Sequence, residues 1–229
     1  MAWLWFIIFI ALLLLLSFMY VKSRRSRQLV FIRTYIFHKA IKEKIKKKYP
    51  QLDDQQVNLV FRALRDYFWM CRKAKRQSVS MPSQVVDDAW HEFILFTKAY
   101  YDFCNKALGR FLHHTPTEAM QTPTIAQEGI KRAWRLACAN ENINPVTPEK
   151  LPLIFAIDSL LQIPDGFTYS LNCRDKNSPG YGYCASHIGC ATGCSGSSAV
   201  TGGSPGFFDG WFDSAGCASD SGGGGCGGD

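Results

Sequence analysis

The chain has 229 residues, enough for one ordinary domain with appendages, and its 26 Lys and Arg residues against 19 Asp and Glu residues give a net charge of +7. The charge is local: residues 1–21 carry no charged side chain, residues 22–76 have a net charge of +13, and residues 77–229 have a net charge of −6. The protein is therefore not basic throughout. An anionic partner would be expected to bind at residues 22–76.

Residues 1–21 predict a transmembrane anchor. They form an apolar run interrupted only by Ser17, and about 20 such residues span the hydrocarbon core of a bilayer as a helix. Aromatic side chains at both ends, such as Trp3 and Tyr20, suit the two membrane interfaces. A cleaved signal peptide is the alternative, but it requires a positive segment before the run and small residues at its end, where Phe18–Tyr20 stands instead.

A basic collar directly after the apolar run predicts the orientation of the chain. Positive flanks stay on the cytoplasmic side, so we expect a single-pass protein of the cell membrane with its N-terminus outside and its bulk in the cytoplasm. The collar should contact anionic lipid head groups. It comprises Lys22, Arg24, Arg25 and Arg27.

Residues 22–49 as a whole predict a basic juxtamembrane helix, which Pro50 ends. Anionic lipid is the expected partner, because the segment adjoins the predicted span. Nucleic acid is the less favoured alternative for such a cluster, because no aromatic stacking platform is interleaved with it. The C-terminal part of the helix is crowded with lysines: Lys42, Lys44, Lys46, Lys47 and Lys48.

Residues 50–172 predict a compact helical domain, so the fold class is mainly α. Asp53 and Gln56 have the spacing of a capping box. Ser83 is a good N-cap for a long helix, and Gly109 is a good C-cap for it. The predicted helices cover residues 53–76, 84–108, a segment from Pro123, and the short apolar run 153–161, with a linker at 77–81.

Residues 173–229 predict a flexible tail rich in glycine and cysteine. Residues 180–229 alone contain 16 of the 19 glycines and five of the nine cysteines, a composition that buries too little apolar area to fold alone. In a reducing cytoplasm such cysteines are thiols or metal ligands. Cys184, His187, Cys190 and Cys194 have a donor set that suits zinc. The aromatic cluster Phe207–Phe212 suits a peptide that docks on a partner protein.

Residues 86–93 contain the most distinctive chemistry of the predicted domain. Asp88, His91 and Glu92 share one face of a helix and supply two or three metal ligands. The favoured interpretation is structural: Asp88 and His91 hydrogen-bond each other or a neighbouring backbone group, and Trp90 anchors the core; metal binding is the alternative. His113 and His114 lie beyond Gly109, where we expect them near the end of the long helix, close to Asp102, Cys104 or Asn105.

The spacing of these residues resembles the glycine-rich domain-containing-protein-like family of bacteria and plants. The resemblance covers roughly residues 50–229 and implies no established reaction. The plant pattern Trp-His-x-His implies a paired-histidine metal site, but Phe93 stands at the second histidine position here. The matching positions are Asp88, Trp90, His91, Cys104, Gly109, His113 and His114.

The motifs that would identify a common enzyme class are missing from the sequence, including a phosphate-binding loop and a nucleophile elbow. The sequence therefore predicts a membrane-tethered cytoplasmic module for protein interaction or scaffolding. The alternative is a metal-binding protein or metal-dependent enzyme that uses His91 with Asp88, or the cysteine and histidine residues of the tail.

Overall fold

The computed structural model describes residues 2–114 and 123–171, which belong to the first of two compact units, Met1–Gly189. The second unit, Cys190–Asp229, lies outside the described residues. The described part of the chain is mainly helical, which confirms the predicted fold class. Its helices are α1 (Ala2–Thr34), α2 (Lys39–Lys48), α3 (Asp54–Lys73), α4 (Gln84–Leu95), α5 (Thr97–Ala107), α6 (Pro123–Glu141) and α7 (Leu153–Leu160).

Helix α1 is long and apolar enough to cross a membrane, and it continues without a break into the domain. Its large apolar side chains from Trp3 to Val21 are exposed, whereas Gln28 and Ile32 are buried. Arg33 Nη2 donates to Asn140 Oδ1 on α6 at 2.9 Å. The predicted boundary between an anchor over 1–21 and a separate helix over 22–49 is therefore absent, because α1 itself packs into the core.

The domain also begins earlier than the predicted residue 50. Helix α2 starts after a break at residues 35–38, where His38 Nδ1 accepts from the Ala40 N–H at 3.2 Å. Phe37, Ile41 and Ile45 are buried in the core. Four lysines of α2 pair with residues of the domain: Lys42 with Asn58, Lys44 with Glu92, Lys46 with Asp54, and Lys48 with Asp88.

Helix α3 is the centre of the domain and packs against α1, α2, α4, α6 and α7. The predicted capping box fixes its start: Asp53 Oδ1 accepts from the Gln56 N–H at 2.7 Å, and Gln56 Oε1 accepts from the Asp53 N–H at 2.9 Å. Its apolar positions recur at helical spacing, so one face is buried along its whole length. That face includes the predicted residues Val57, Val60, Phe61, Leu64, Tyr67, Phe68 and Cys71.

The single helix predicted over 84–108 is wrong, because the chain turns at Phe96 between α4 and α5. Phe96 has a non-helical backbone conformation, with φ −83° and ψ 61°. In a straight helix, Phe93 and Phe103 would be about 15 Å apart along the axis. The turn brings their ring centroids to 5.4 Å, so both rings enter the same aromatic core. Burial of these rings therefore offsets the lost helical hydrogen bonds.

Candidate metal-binding site

Helix α4 is held in place by a buried carboxylate from α7. Asp158 accepts four hydrogen bonds: from Ser83 Oγ at 2.7 Å, from the Gln84 N–H at 2.7 Å, from the Val85 N–H at 3.2 Å, and from the Phe167 N–H at 2.9 Å. Burial raises the pKa of Asp158, and the donors on Ser83, Gln84, Phe167 and Val85 oppose that rise. The carboxylate caps the N-terminus of α4, where orphan N–H groups and the helix dipole favour an acceptor.

Two candidate ligands lie one turn apart on α4. Asp87 and His91 have i, i+4 spacing, which places their side chains on one face of the helix. The distance from His91 Nδ1 to Asp87 Oδ2 is 3.6 Å. The His91 side chain is 49% exposed, whereas that of Asp87 is 22% exposed, so this face opens toward solvent.

A third candidate ligand, His114, reaches this face through a fold-back of the chain after α5. Gly109 has φ +70° and ends α5 in the left-handed conformation. Arg110 Nε and Nη2 donate to the Lys75 carbonyl at 3.2 and 2.9 Å. The Tyr100 hydroxyl accepts from Trp90 Nε1 at 3.2 Å and donates to the Leu112 carbonyl. These contacts attach residues 109–112 to the core and aim the following residues at α4.

The three side chains converge. His114 Nε2 lies 3.1 Å from Asp87 Oδ1, and the ring centroids of His114 and His91 are 4.2 Å apart. One ligand atom from each of Asp87, His91 and His114 lies within 4.8 Å of the other two. The His114 ring also packs against Trp90, at 4.6 Å between centroids, which limits its rotation. Two imidazoles and one carboxylate at such distances match the donor set of zinc and non-haem iron sites.

The structure does not bring Asp88 and Glu92 to His91, contrary to the sequence-based metal set and to the predicted Asp88–His91 hydrogen bond. Asp88 is buried; it accepts from the Tyr49 hydroxyl and pairs with Lys48 Nζ at 2.7 Å. Burial and this carboxylate raise the pKa of Tyr49. Glu92 pairs with Lys44 Nζ at 2.6 Å. Both acids therefore join α4 to α2.

The remaining family-motif residues have structural positions. Trp90 is buried, as the sequence predicted. Cys104 is also buried, and burial raises the pKa of its thiol, which disfavours the thiolate that a metal requires. His113 packs edge-on against Phe111, with ring centroids 4.8 Å apart, and is exposed. The expectation that His113 and His114 meet Asp102, Cys104 or Asn105 is wrong for His114, which faces α4 instead.

The other predicted sites have different outcomes. Lys22, Arg24, Arg25 and Arg27 lie on exposed turns of α1, immediately after the apolar part of the helix. Cys184, His187, Cys190 and Cys194 lie outside the described residues, as does the aromatic cluster Phe207–Phe212. Zinc binding by the tail therefore stays a prediction.

Sequence reasoning missed Asp87 and the role of His114. The i, i+4 spacing of Asp87 and His91 is visible in the sequence. Asp88 and His91 have i, i+3 spacing, which places their side chains on one helix face equally well. What excludes Asp88 from the ligand set is its contact with Lys48 and Tyr49 at the end of α2. No local pattern in the sequence predicts this contact. His114 was misplaced because the long helix was assumed to be straight.

A protein-family model described as UCP032817-like matches residues 27–188. No curated protein and no solved structure matches the chain. The matched segment starts next to Gln28, where α1 enters the core, and it contains all three candidate ligands. This match does not address the resemblance to glycine-rich domain-containing-protein-like sequences, which stays a prediction.

Proposed function

We propose that this chain, which belongs to the UCP032817-like family, is a membrane-anchored protein whose helical domain binds a divalent transition-metal ion at Asp87, His91 and His114. The observation that carries the proposal is the convergence of three ligand atoms within 4.8 Å of one another. They come from two segments that only the fold brings together, since His114 follows His91 by a whole helix and a turn.

The donor set favours zinc or iron over magnesium or calcium. Imidazole nitrogen suits zinc, iron, copper and nickel, whereas magnesium and calcium prefer sites made of oxygen alone. Asp87 brings one negative charge and the two histidines bind as neutral rings, so the site neutralises half of a divalent charge. Three protein ligands on a partly exposed face leave further coordination positions for water or a small ligand.

The membrane part of the proposal is supported by α1 and its flanks. The apolar stretch from Trp3 to Val21 is exposed on all sides, which suits lipid rather than water. The basic collar after this stretch favours an orientation in which α1 crosses the cell membrane and the domain lies on the cytoplasmic side. In that orientation the metal site takes its ion from the cytoplasm, where thiols stay reduced.

Elemental analysis of the purified full chain tests the metal proposal. We expect about one zinc or iron per chain in the wild type, and an affinity at least tenfold lower in His91→Ala and in His114→Ala, because each loses one ligand. His113→Ala is the matched control. His113 is next to His114 in the chain, but its ring packs edge-on against Phe111 and is not part of the candidate site. This control should retain the wild-type metal content.

A chain that ends at Ser178 separates the two candidate sites, because it keeps the domain and lacks Cys184, His187, Cys190 and Cys194. Stoichiometric metal in both lengths, lost on substitution of His114, supports the site on α4. Metal in the full chain alone assigns the ion to the tail and contradicts the proposal. If neither length retains or binds metal under anaerobic conditions, the proposal is wrong.

Protein interaction remains the other proposal for the assembly as a whole. It depends on the tail aromatic cluster Phe207–Phe212, which lies outside the described residues. Cross-linking with and without the tail tests it, because a partner that docks on this cluster is recovered only with the full chain.

A further inference from the structure

We propose that the end of the domain nearest the bilayer binds the head group of an anionic phospholipid through guanidinium groups that α1, α3 and the turn after α5 bring together. We name this surface the basic junction; it consists of Arg24, Arg25, Arg72 and Arg110 around Gln28. The inference rests on the membrane anchoring proposed above and is independent of the metal site.

Gln28 is the point at which the three segments meet. Its Oε1 accepts from Arg72 Nε at 2.9 Å and from Arg72 Nη2 at 2.7 Å, and it is only 7% exposed. A Cβ atom at Gly109 would lie 3.5 Å from Gln28 Nε2 and 3.7 Å from Arg24 Nη2. The turn at Gly109 therefore lies directly against α1, and it places Arg110 beside the same end of α3.

The basic junction has no acidic partner within the described part of the chain. None of the ion pairs among residues 2–114 and 123–171 involves Arg24, Arg25, Arg72 or Arg110. Burial lowers the pKa of Arg72, and the neighbouring positive charges of Arg25 and Arg24 lower it further. The α2 lysines differ, because four of them pair within the domain.

Phosphate is the ligand chemistry that such a surface recognises. Guanidinium groups attract phosphate by charge and donate charge-assisted hydrogen bonds to its oxygens. Nε and Nη2 of Arg72 already donate to Gln28, and those of Arg110 donate to the Lys75 carbonyl, so these two arginines contribute mainly positive charge. The four arginines come from three different segments of the chain. The surface is therefore built by the fold and is not merely the flank of a transmembrane helix. The sequence showed only the collar on α1, and Arg72 and Arg110 are added to it by packing.

Helix α1 places the basic junction at the outer edge of the lipid head-group layer, with Arg24 inside the layer and Gln28 just beyond it. The last apolar residue of its exposed stretch is Val21, and at 1.5 Å per residue Arg24 lies about 5 Å and Gln28 about 10 Å further along the axis. The head-group layer of a bilayer is roughly 5–8 Å thick on each side. Because α1 is continuous from Ala2 to Thr34, Arg72 and Arg110 are held beside that layer.

Lipid selectivity of the full chain in phosphatidylcholine vesicles tests the inference. Spin-labelled phosphatidylglycerol or spin-labelled phosphatidylcholine is added in trace amount, and the fraction of each that is immobilised at the protein is compared. We expect phosphatidylglycerol to be preferred, and Arg110→Gln to lower the preference about two- to fivefold, since one cation near the surface is worth up to about fivefold in association.

Two further variants isolate the charge at the basic junction. Arg110→Lys retains the charge and should keep most of the preference. Lys98→Gln removes one positive charge from the exposed surface of α5 and should leave the preference unchanged. If Arg110→Gln does not fold, Arg72→Gln takes its place with the same expected loss. In the wild type, raising sodium chloride from about 0.05 M to about 0.5 M must abolish the preference.

Several results overturn the inference. Equal immobilisation of the two lipids removes it, and so does a preference that persists in high salt. A preference that Arg110→Gln leaves intact assigns it to the α1 collar alone. Displacement by inorganic phosphate, but not by chloride of equal ionic strength, assigns the surface to free phosphate. Loss of the chain from vesicles in alkaline carbonate refutes the membrane anchoring instead, so the two failures are distinguishable.

Discussion

Asp158 is the residue on which the position of α4 depends. Its two carboxylate oxygens accept hydrogen bonds from Ser83, Gln84, Val85 and Phe167, and three of these donors are backbone N–H groups. Those of Gln84 and Val85 lie at the start of α4, where backbone N–H groups have no partner within the helix. The same carboxylate thus joins α7 to the helix that carries Asp87 and His91.

We expect Asp158→Asn to lower the free energy of unfolding by about 2–3 kcal/mol, because the amide nitrogen turns toward a backbone N–H and leaves it unsatisfied. Asp165→Asn is the matched control: it makes the same chemical change at an exposed position, and asparagine tolerates its φ of +57°. Urea unfolding of both variants measures the difference. Equal stabilities would show that the Asp158 contacts contribute nothing net.

The ligand set shows how far single residues are readable from sequence. His91 was predicted from its place in a helix, and the structure places it in the cluster. Asp87 and Asp88 could not be told apart, because helical spacing allows either of them to face His91. The choice depends on Tyr49 and Lys48 on another helix, which bind Asp88.

At the scale of elements, the turn between α4 and α5 is the feature that sequence did not predict. Residues 84–108 contain neither glycine nor proline, so the usual sequence signals for a helix end are missing around Phe96. The turn depends on the aromatic core. There the centroid of the Phe93 ring lies 5.3 Å from that of Tyr100 and 5.4 Å from that of Phe103. By contrast, the capping box at Asp53 is local, and its prediction is confirmed.

The turn at Gly109 is the element-scale feature that aims His114 at α4. Gly109→Ala leaves ordinary contact distances at its Cβ, so its cost is the left-handed backbone, about 1–2 kcal/mol. We expect lower stability and, because residues 110–114 are less well held, weaker zinc binding. Urea unfolding and a zinc titration measure the two effects.

Gly109→Asn serves as the comparison for this prediction, since asparagine enters the left-handed region more readily than alanine. It should retain more stability and more zinc affinity than the alanine variant. If both variants bind zinc like the wild type, the conformation at Gly109 has no part in positioning His114.

At the scale of the whole molecule, the domain includes the last part of the long apolar helix α1. Ile32 is fully buried, Gln28 is nearly so, and Phe31 packs against Phe103 with ring centroids 5.9 Å apart. The sequence predicted the apolar anchor, because a long run without charge is a local signal. It did not predict the packing of residues 28–34, whose partners are distant in the chain.

Two shortened chains test this packing. A chain that begins at residue 27 should fold cooperatively without a membrane, because it retains every buried residue of α1. A chain that begins at residue 35 lacks Ile32, Phe31 and Gln28, so it should lose more than about 4 kcal/mol of stability. Circular dichroism during urea unfolding compares them. Equal stability would mean that α1 ends outside the core.

In the membrane-anchored protein proposed above, the unbroken course of α1 would also couple the domain mechanically to the bilayer. A transmembrane helix tilts when its apolar length exceeds the local thickness of the hydrocarbon layer, commonly by about 20°. Here the apolar segment belongs to the same continuous helix that runs to Thr34 and is buried in the domain at Gln28 and Ile32. If α1 spans the bilayer as proposed, each change of its tilt is transmitted directly to the domain, so bilayer thickness would set the angle between the domain and the membrane plane.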